Sequence, residues 1–105
     1  MNSEKQYDRY YLSYSGSSLP LKMLSALSNE GVDNRNTYSG VKLDEEGRIV
    51  VIHKLVYGSI ELSHRYEYND NGALTFAEIN NMDGEMNKLW FDEEGNLIRR
   101  EELTD

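Results

Sequence analysis

The residues best suited to chemistry are the two histidines, His53 and His64, and the carboxylate of Glu78. Imidazole titrates near neutral pH and binds divalent transition metals, and a neighbouring carboxylate can act as a further ligand or as a base. On one face of a sheet, the three side chains would form a metal-binding or acid–base group, with Arg99 farther along the same row. The alternative is a buried polar row in which Glu78 hydrogen-bonds His64.

Three copies of one turn phrase determine where these side chains fall. At 43–49, 68–74 and 91–97, an Asp or Asn is followed three residues later by Gly, with apolar residues on both sides. The short Asx side chain can bond the backbone two residues on, and Gly tolerates the positive φ of a type I turn with a bulge. The phrases therefore predict three hairpin tips with these opposed pairs: Leu43 with Ile49, Tyr68 with Leu74, and Phe91 with Leu97.

Two tighter turns are predicted between the phrases, at Gly58-Ser59 and at Asp83-Gly84. The segment 60–68 alternates apolar and polar residues with period two, as a strand with one solvated side does. The predicted strands form an antiparallel up-and-down meander over 38–102: 38–43, 48–57, 60–68, 74–82, 85–91 and 97–102.

The first third of the chain has a different pattern. The aromatic segment 7–14 predicts one more strand, and the Leu spacing after Pro20 predicts a helix over about 19–29, followed by a loop at 30–37. A helix this short is stable only when it docks on the sheet. The predicted fold is therefore α+β: a single domain over 1–105, with six to seven strands and one short N-terminal helix packed on one face.

Extending the predicted turns inward gives the register of the whole sheet. His53 is then opposite His64, Glu78 is on the other side of His64, and Arg99 is opposite Leu89. The predicted core face under the helix consists of Ile49, Val51, Leu55, Leu62, Tyr66, Leu74, Phe76, Leu89, Phe91 and Leu97. The other face carries a half-apolar interaction surface with Trp90 as its anchor, formed by Ile52, Val56, Ile79, Trp90 and Ile98.

Charge and composition limit the classes of partner. The formal net charge of −8 disfavours nucleic acid and anionic membranes. With no cysteine, no disulfide or thiolate site can form. The polar N-terminus and the lack of a long apolar run predict a cytoplasmic protein. No cofactor is indicated, and the expected partner is an unknown protein or a second copy in a homodimer.

Two acidic patterns have alternative interpretations. The segment 67–78 matches the oxygen-ligand positions of a calcium-binding EF-hand loop, but the alternation at 60–68 favours a hairpin tip. The triplets 44–46 and 92–94 lie on equivalent tips, where they would favour solubility or recognise a basic protein.

The recurrent phrase, best developed as Tyr-Asn-Asp-Asn-Gly-Ala-Leu at 68–74, resembles the tyrosine–aspartate (YD, or Rhs-type) repeats of bacterial shell and toxin-delivery proteins over 41–102. The wider sequence is similar to a family of small uncharacterised bacterial proteins. This resemblance implies a fold and no activity. The sequence therefore predicts a non-catalytic interaction module, with a small-molecule or metal-binding protein, or a minor enzyme, as the alternative.

Overall fold

A computed structural model describes residues 6–16 and 18–104, so residues 1–5, 17 and 105 of the predicted 1–105 domain lie outside the described part. In that part, one antiparallel sheet has the spatial order β2-β1-β3-β4-β5-β6-β7-β8. The element bounds are β1 (Arg9–Ser15), β2 (Lys22–Leu27), α1 (Asn29–Asp33), β3 (Thr37–Leu43), β4 (Ile49–Val56), β5 (Ser59–Tyr68), β6 (Leu74–Asn81), β7 (Met86–Phe91) and β8 (Leu97–Leu103). The predicted meander is confirmed, with eight strands in place of six to seven.

An Asx side chain organises four of the hairpin tips. In each, its Oδ1 accepts hydrogen bonds of 2.9–3.1 Å from the backbone N–H groups two and four residues on. The five glycines predicted to reverse the chain all have φ between 82° and 88°: Gly47, Gly58, Gly72, Gly84 and Gly95. The three pairs predicted beside the tips are also confirmed.

The predicted helix over 19–29 is wrong. Most of that segment is β2, which pairs with β1, and the described helix is the five-residue α1, whose first turn is capped by the Ser28 hydroxyl. Pairing with β1 stabilises this segment through backbone hydrogen bonds between strands, whereas a helix of about ten residues is only marginally stable by itself. Leu21 is buried on the sheet as predicted, but from an extended segment.

The core lies on one face of the sheet, named here the covered face because the 19–23 segment crosses it. Its buried residues are Leu21, Val41, Ile52, Tyr66 and Ala77. The predicted core face is therefore only partly correct. Ile52, which was expected on the outer surface, is 1% exposed, and Phe76 lies on the opposite face, named here the aromatic face.

Candidate functional site

The predicted His53–His64–Glu78 row does not assemble. His53 is paired with Ser63, and His64 is paired with Ile52. Because successive side chains of a strand point to opposite faces, the two imidazoles lie on opposite sides of the sheet. Among residues 6–16 and 18–104, no group of three His, Asp or Glu side chains is placed to hold a metal ion.

The predicted register first differs from the structure at the turn between β4 and β5. Tyr57 and Gly58 occupy its two central positions with φ of 50° and 82°, so Val56 pairs with Ser59. Positive φ at both positions is the signature of a type I′ turn, and the predicted turn began one residue later. This turn shifts the pairing by two residues from the prediction, and a bulge between Lys54 and Leu55 then removes one of them. The net shift of one residue moves His53 to the face opposite His64.

Glu78 and Arg99 are also placed differently from the prediction. Glu78 lies opposite Arg65 and Lys88, with a carboxylate oxygen 3.1 Å from the Arg65 guanidinium. Burial alone would raise the pKa of Glu78, but hydrogen bonds from Asn80 and Arg65 outweigh it and lower this pKa. Arg99 is paired with Trp90 and not with Leu89. The cross-strand partners of Glu78 and Arg99 are therefore residues other than histidine.

His64 belongs to a buried hydrogen-bonded chain on the covered face. Its Nδ1 is 2.7 Å from the Tyr66 hydroxyl, which accepts a hydrogen bond of 3.2 Å from the Leu21 N–H. Burial lowers the pKa of His64 to about 4 and raises that of Tyr66, so both groups are neutral at pH 7. Because the Tyr66 oxygen accepts from the Leu21 N–H, its own proton can be donated to Nδ1 in the tautomer that carries its hydrogen on Nε2. The chain of bonds fastens Leu21 to the sheet.

His53 has a separate tyrosine partner on the aromatic face. Its Nδ1 lies 2.8 Å from the Tyr7 hydroxyl, and the Tyr7 ring lies over Gly40. Burial, assisted by the positive charge of Lys42, lowers the pKa of His53, and burial raises that of Tyr7. Each histidine is thus held by a tyrosine hydroxyl, and both imidazoles serve the packing of the sheet.

A groove on the aromatic face is built around two rings, the buried Phe76 and the half-buried Trp90, beside the exposed Ile98. The rings of Phe76 and Trp90 lie 5.3 Å apart, with the guanidinium of Arg65 5.1 Å from the Phe76 ring and that of Arg99 4.9 Å from the Trp90 ring. The open groove of about 380 Å³ is lined by Arg65, Glu67, Thr75, Phe76, Trp90, Phe91 and Ile98.

The predicted interaction surface is therefore divided between the two faces. Trp90 and Ile98 line the groove, but Ile52 is buried in the core and Ile79 is paired with His64 on the covered face. Val56 lies at the end of β4, beside the turn. Phe76 was missed as a groove residue because a bulge beside Tyr68 pairs it with Glu67 and not with Tyr66.

In the acidic tips, one carboxylate oxygen of the first Asp accepts hydrogen bonds from the backbone of its own turn. Asp44 and Asp92 each bind two backbone N–H groups, and these hydrogen bonds lower the pKa of both carboxyls. Asn69, the second oxygen ligand of the EF-hand alternative, binds the turn in the same way. The flanking elements are β5 and β6 where an EF-hand has helices, so the hairpin interpretation is correct.

Comparison with known proteins gives one match. The profile of a family of unknown function, DUF6156, matches residues 3–100. The chain belongs to this family. Neither a search of curated proteins nor a search of solved structures found a significant match. Because DUF6156 is a family of unknown function, the match assigns no activity to the chain. The resemblance to YD repeats and the bacterial origin stay predictions.

In the part of the chain that the structure describes, no helix has both the length and the apolar character needed to cross a bilayer.

Proposed function

We propose that this member of DUF6156 is a non-catalytic binding module whose aromatic face receives another protein. The observation that carries the proposal is the pair of rings of Phe76 and Trp90 at the groove. In residues 6–16 and 18–104, the sheet is a single layer and no second sheet or long helix covers this pair. Tryptophan and arginine are the side chains most enriched at interface hot spots, and here they lie in contact.

The charges support a basic partner. The chain carries a net charge of −8, and the exposed tip 92–94 follows directly after Phe91, which lines the groove. An acidic tip accelerates the encounter with a basic surface, and an apolar side chain of the partner then enters the groove beside the rings. Arg65 does not repel such a partner, because Glu67 and Glu78 neutralise its charge.

The test is capture of partners from native lysate with the wild type, Trp90→Ala and Ile60→Ala. Ile60 is an exposed apolar residue on β5 outside the groove, so its variant is the matched control. We expect the wild type and Ile60→Ala to capture the same basic protein. With that protein purified, Trp90→Ala should weaken binding by about tenfold or more, the loss typical of an anchor residue.

Trp90 is the only tryptophan of the chain, so its fluorescence reports on the groove directly. It should change when the partner is added, and higher salt should slow association. Equal affinity of Trp90→Ala and the wild type for the captured protein would contradict the proposal. Failure of the wild type to capture any protein at low salt would contradict it as well.

The small-molecule, metal or enzymatic alternative has no supporting observation. It depended on His53, His64 and Glu78 as one row, and the two histidines are separated by the sheet. Each imidazole is also engaged by a tyrosine hydroxyl. A cytoplasmic location stays a prediction from the sequence.

A further inference from the structure

We propose that two copies of this chain associate through β8, with the two β8 strands pairing antiparallel across a twofold axis. In residues 6–16 and 18–104, β8 pairs with β7 alone and forms one edge of the sheet. Six of its seven residues are exposed. An edge strand has a row of outward N–H and C=O groups that can pair with another strand. This association is made by the backbone edge of β8. It adjoins the groove at Ile98 and Arg99, but it does not depend on capture of a basic partner.

The opposite edge is a poorer template. β2 has Ser25 in the middle of the strand at φ 61°, a left-handed conformation that interrupts the extended backbone. β8 has no residue with positive φ. A regular ladder between two copies is therefore favoured at β8.

The sequence of β8 fits its own antiparallel copy. A twofold axis perpendicular to the sheet keeps each side chain on its own face, so opposed residues must come from the same face. Arg99 and Glu101 share the aromatic face, since they are paired with Trp90 and Lys88 of β7. With Arg100 at the axis, Arg99 of each copy lies opposite Glu101 of the other. Opposed charges of opposite sign stabilise a strand pair, and this register provides two of them.

Apolar side chains flank these ion pairs in the same register. Ile98 lines the groove and Leu103 is paired with Met86, which places both on the aromatic face; they are 64% and 49% exposed. The axis brings Ile98 of one copy towards Leu103 of the other at both ends of the ladder. On the covered face, the two Arg100 side chains meet near the axis. In each copy the Glu102 carboxylate lies 2.7 Å from the Arg100 guanidinium and compensates its charge.

The charge of β8 is compatible with this association. The strand carries two arginines and two glutamates, so it is neutral within a chain of net charge −8. Two copies repel each other at long range, and the neutral β8 adds no net local charge to this repulsion. Salt screens the long-range repulsion more than the contacting pairs. Added salt should therefore strengthen self-association, whereas it slows the encounter with a basic partner.

The experiment is sedimentation equilibrium on the full chain at up to about 1 mM, in about 0.15 M and about 0.5 M salt. The wild type should dimerise, more tightly at the higher salt. Arg99→Glu and Glu101→Arg should each weaken dimerisation by about tenfold or more, because each places two like-charged pairs across the axis. Lys42→Glu is the matched control: it gives the same net charge of −10 as Arg99→Glu, from an exposed position on the interior strand β3.

An equimolar mixture of Arg99→Glu and Glu101→Arg tests the pairing itself. One copy then carries two glutamates and the other two arginines at these positions, so the mixture should form a heterodimer although neither variant self-associates well. Changes within one chain, including loss of the Arg99–Trp90 contact, cannot be repaired by mixing. A monomeric wild type, a mixture no tighter than its components, or an equal loss in Lys42→Glu would each overturn the proposal. All three outcomes leave capture through Trp90 unaffected.

Discussion

Acid should destabilise this protein well before its carboxylates become protonated, because of His64. Its pKa is about 4 in the folded state against an ordinary value of 6.5 in the unfolded chain. Between these values the unfolded chain binds more protons, so the free energy of unfolding falls as the pH is lowered. For a single group with these two pKa values, the loss between pH 7 and pH 5 is about 2 kcal/mol.

The carboxylates act in a different pH range. The pKa values of Asp44, Glu78 and Asp92 are lowered in the folded state, so their contribution to stability is complete above the unfolded values, which lie between 3.8 and 4.5. It is lost only as the pH falls below that range. The interval from pH 7 to pH 5 therefore isolates the histidines.

The assay is urea denaturation at pH 7 and pH 5, followed by circular dichroism, on the wild type, His64→Asn and His53→Asn. The asparagine oxygen of His64→Asn can still accept from Tyr66 but cannot titrate in this range. Between pH 7 and pH 5, His64→Asn should lose less than half as much free energy of unfolding as the wild type. His53→Asn should lose most of the wild-type amount, because His53 is less buried. An unchanged pH difference in His64→Asn, or a His64 imidazole that titrates near 6.5 in the folded protein by NMR, would refute the reasoning.

Further substitutions test the packing of the two faces. Tyr66→Phe leaves both partners of its hydroxyl unsatisfied and should cost about 2–4 kcal/mol in urea denaturation; a loss under about 1 kcal/mol would contradict the buried chain of bonds. In Gly40→Ala the new Cβ would lie 2.5 Å from the Tyr7 ring, so the ring should move and the pKa of His53 should rise towards 6.5 by NMR; an unchanged titration would exclude that contact. Gly95→Ala meets no atom within 4 Å but keeps φ at 88°, so it should cost about 1–2 kcal/mol from backbone strain alone, and no loss would be inconsistent with that φ.

The turns were predictable because their chemistry is local. An Asx residue followed three positions later by Gly defines the tips at Gly47, Gly72 and Gly95, together with the pairs next to them. The same spacing occurs at Asn81 and Gly84, where a two-residue turn was expected. Local hydrogen bonding by one side chain is thus sufficient to locate a reversal.

The faces were not predictable because they depend on single-residue offsets that accumulate along the sheet. The positive φ of Tyr57 and the bulges beside Lys54 and Tyr68 each change the register. A shift of one residue exchanges the two faces, which separated His53 from His64. The helix expected at 19–29 was wrong for a related reason: Leu21 does pack on the sheet, but β1 offers residues 22–27 a strand partner.

Cross-strand NOEs of the folded protein measure directly the register that separates the histidines and pairs Phe76 with Trp90 on the aromatic face. The register of the sheet predicts backbone contacts between Ile52 and His64, and between Phe76 and Trp90. Backbone contacts of His53 with His64 would place both histidines on one face, and contacts of Tyr66 with Phe76 would place Phe76 on the covered face. Either result would contradict this register.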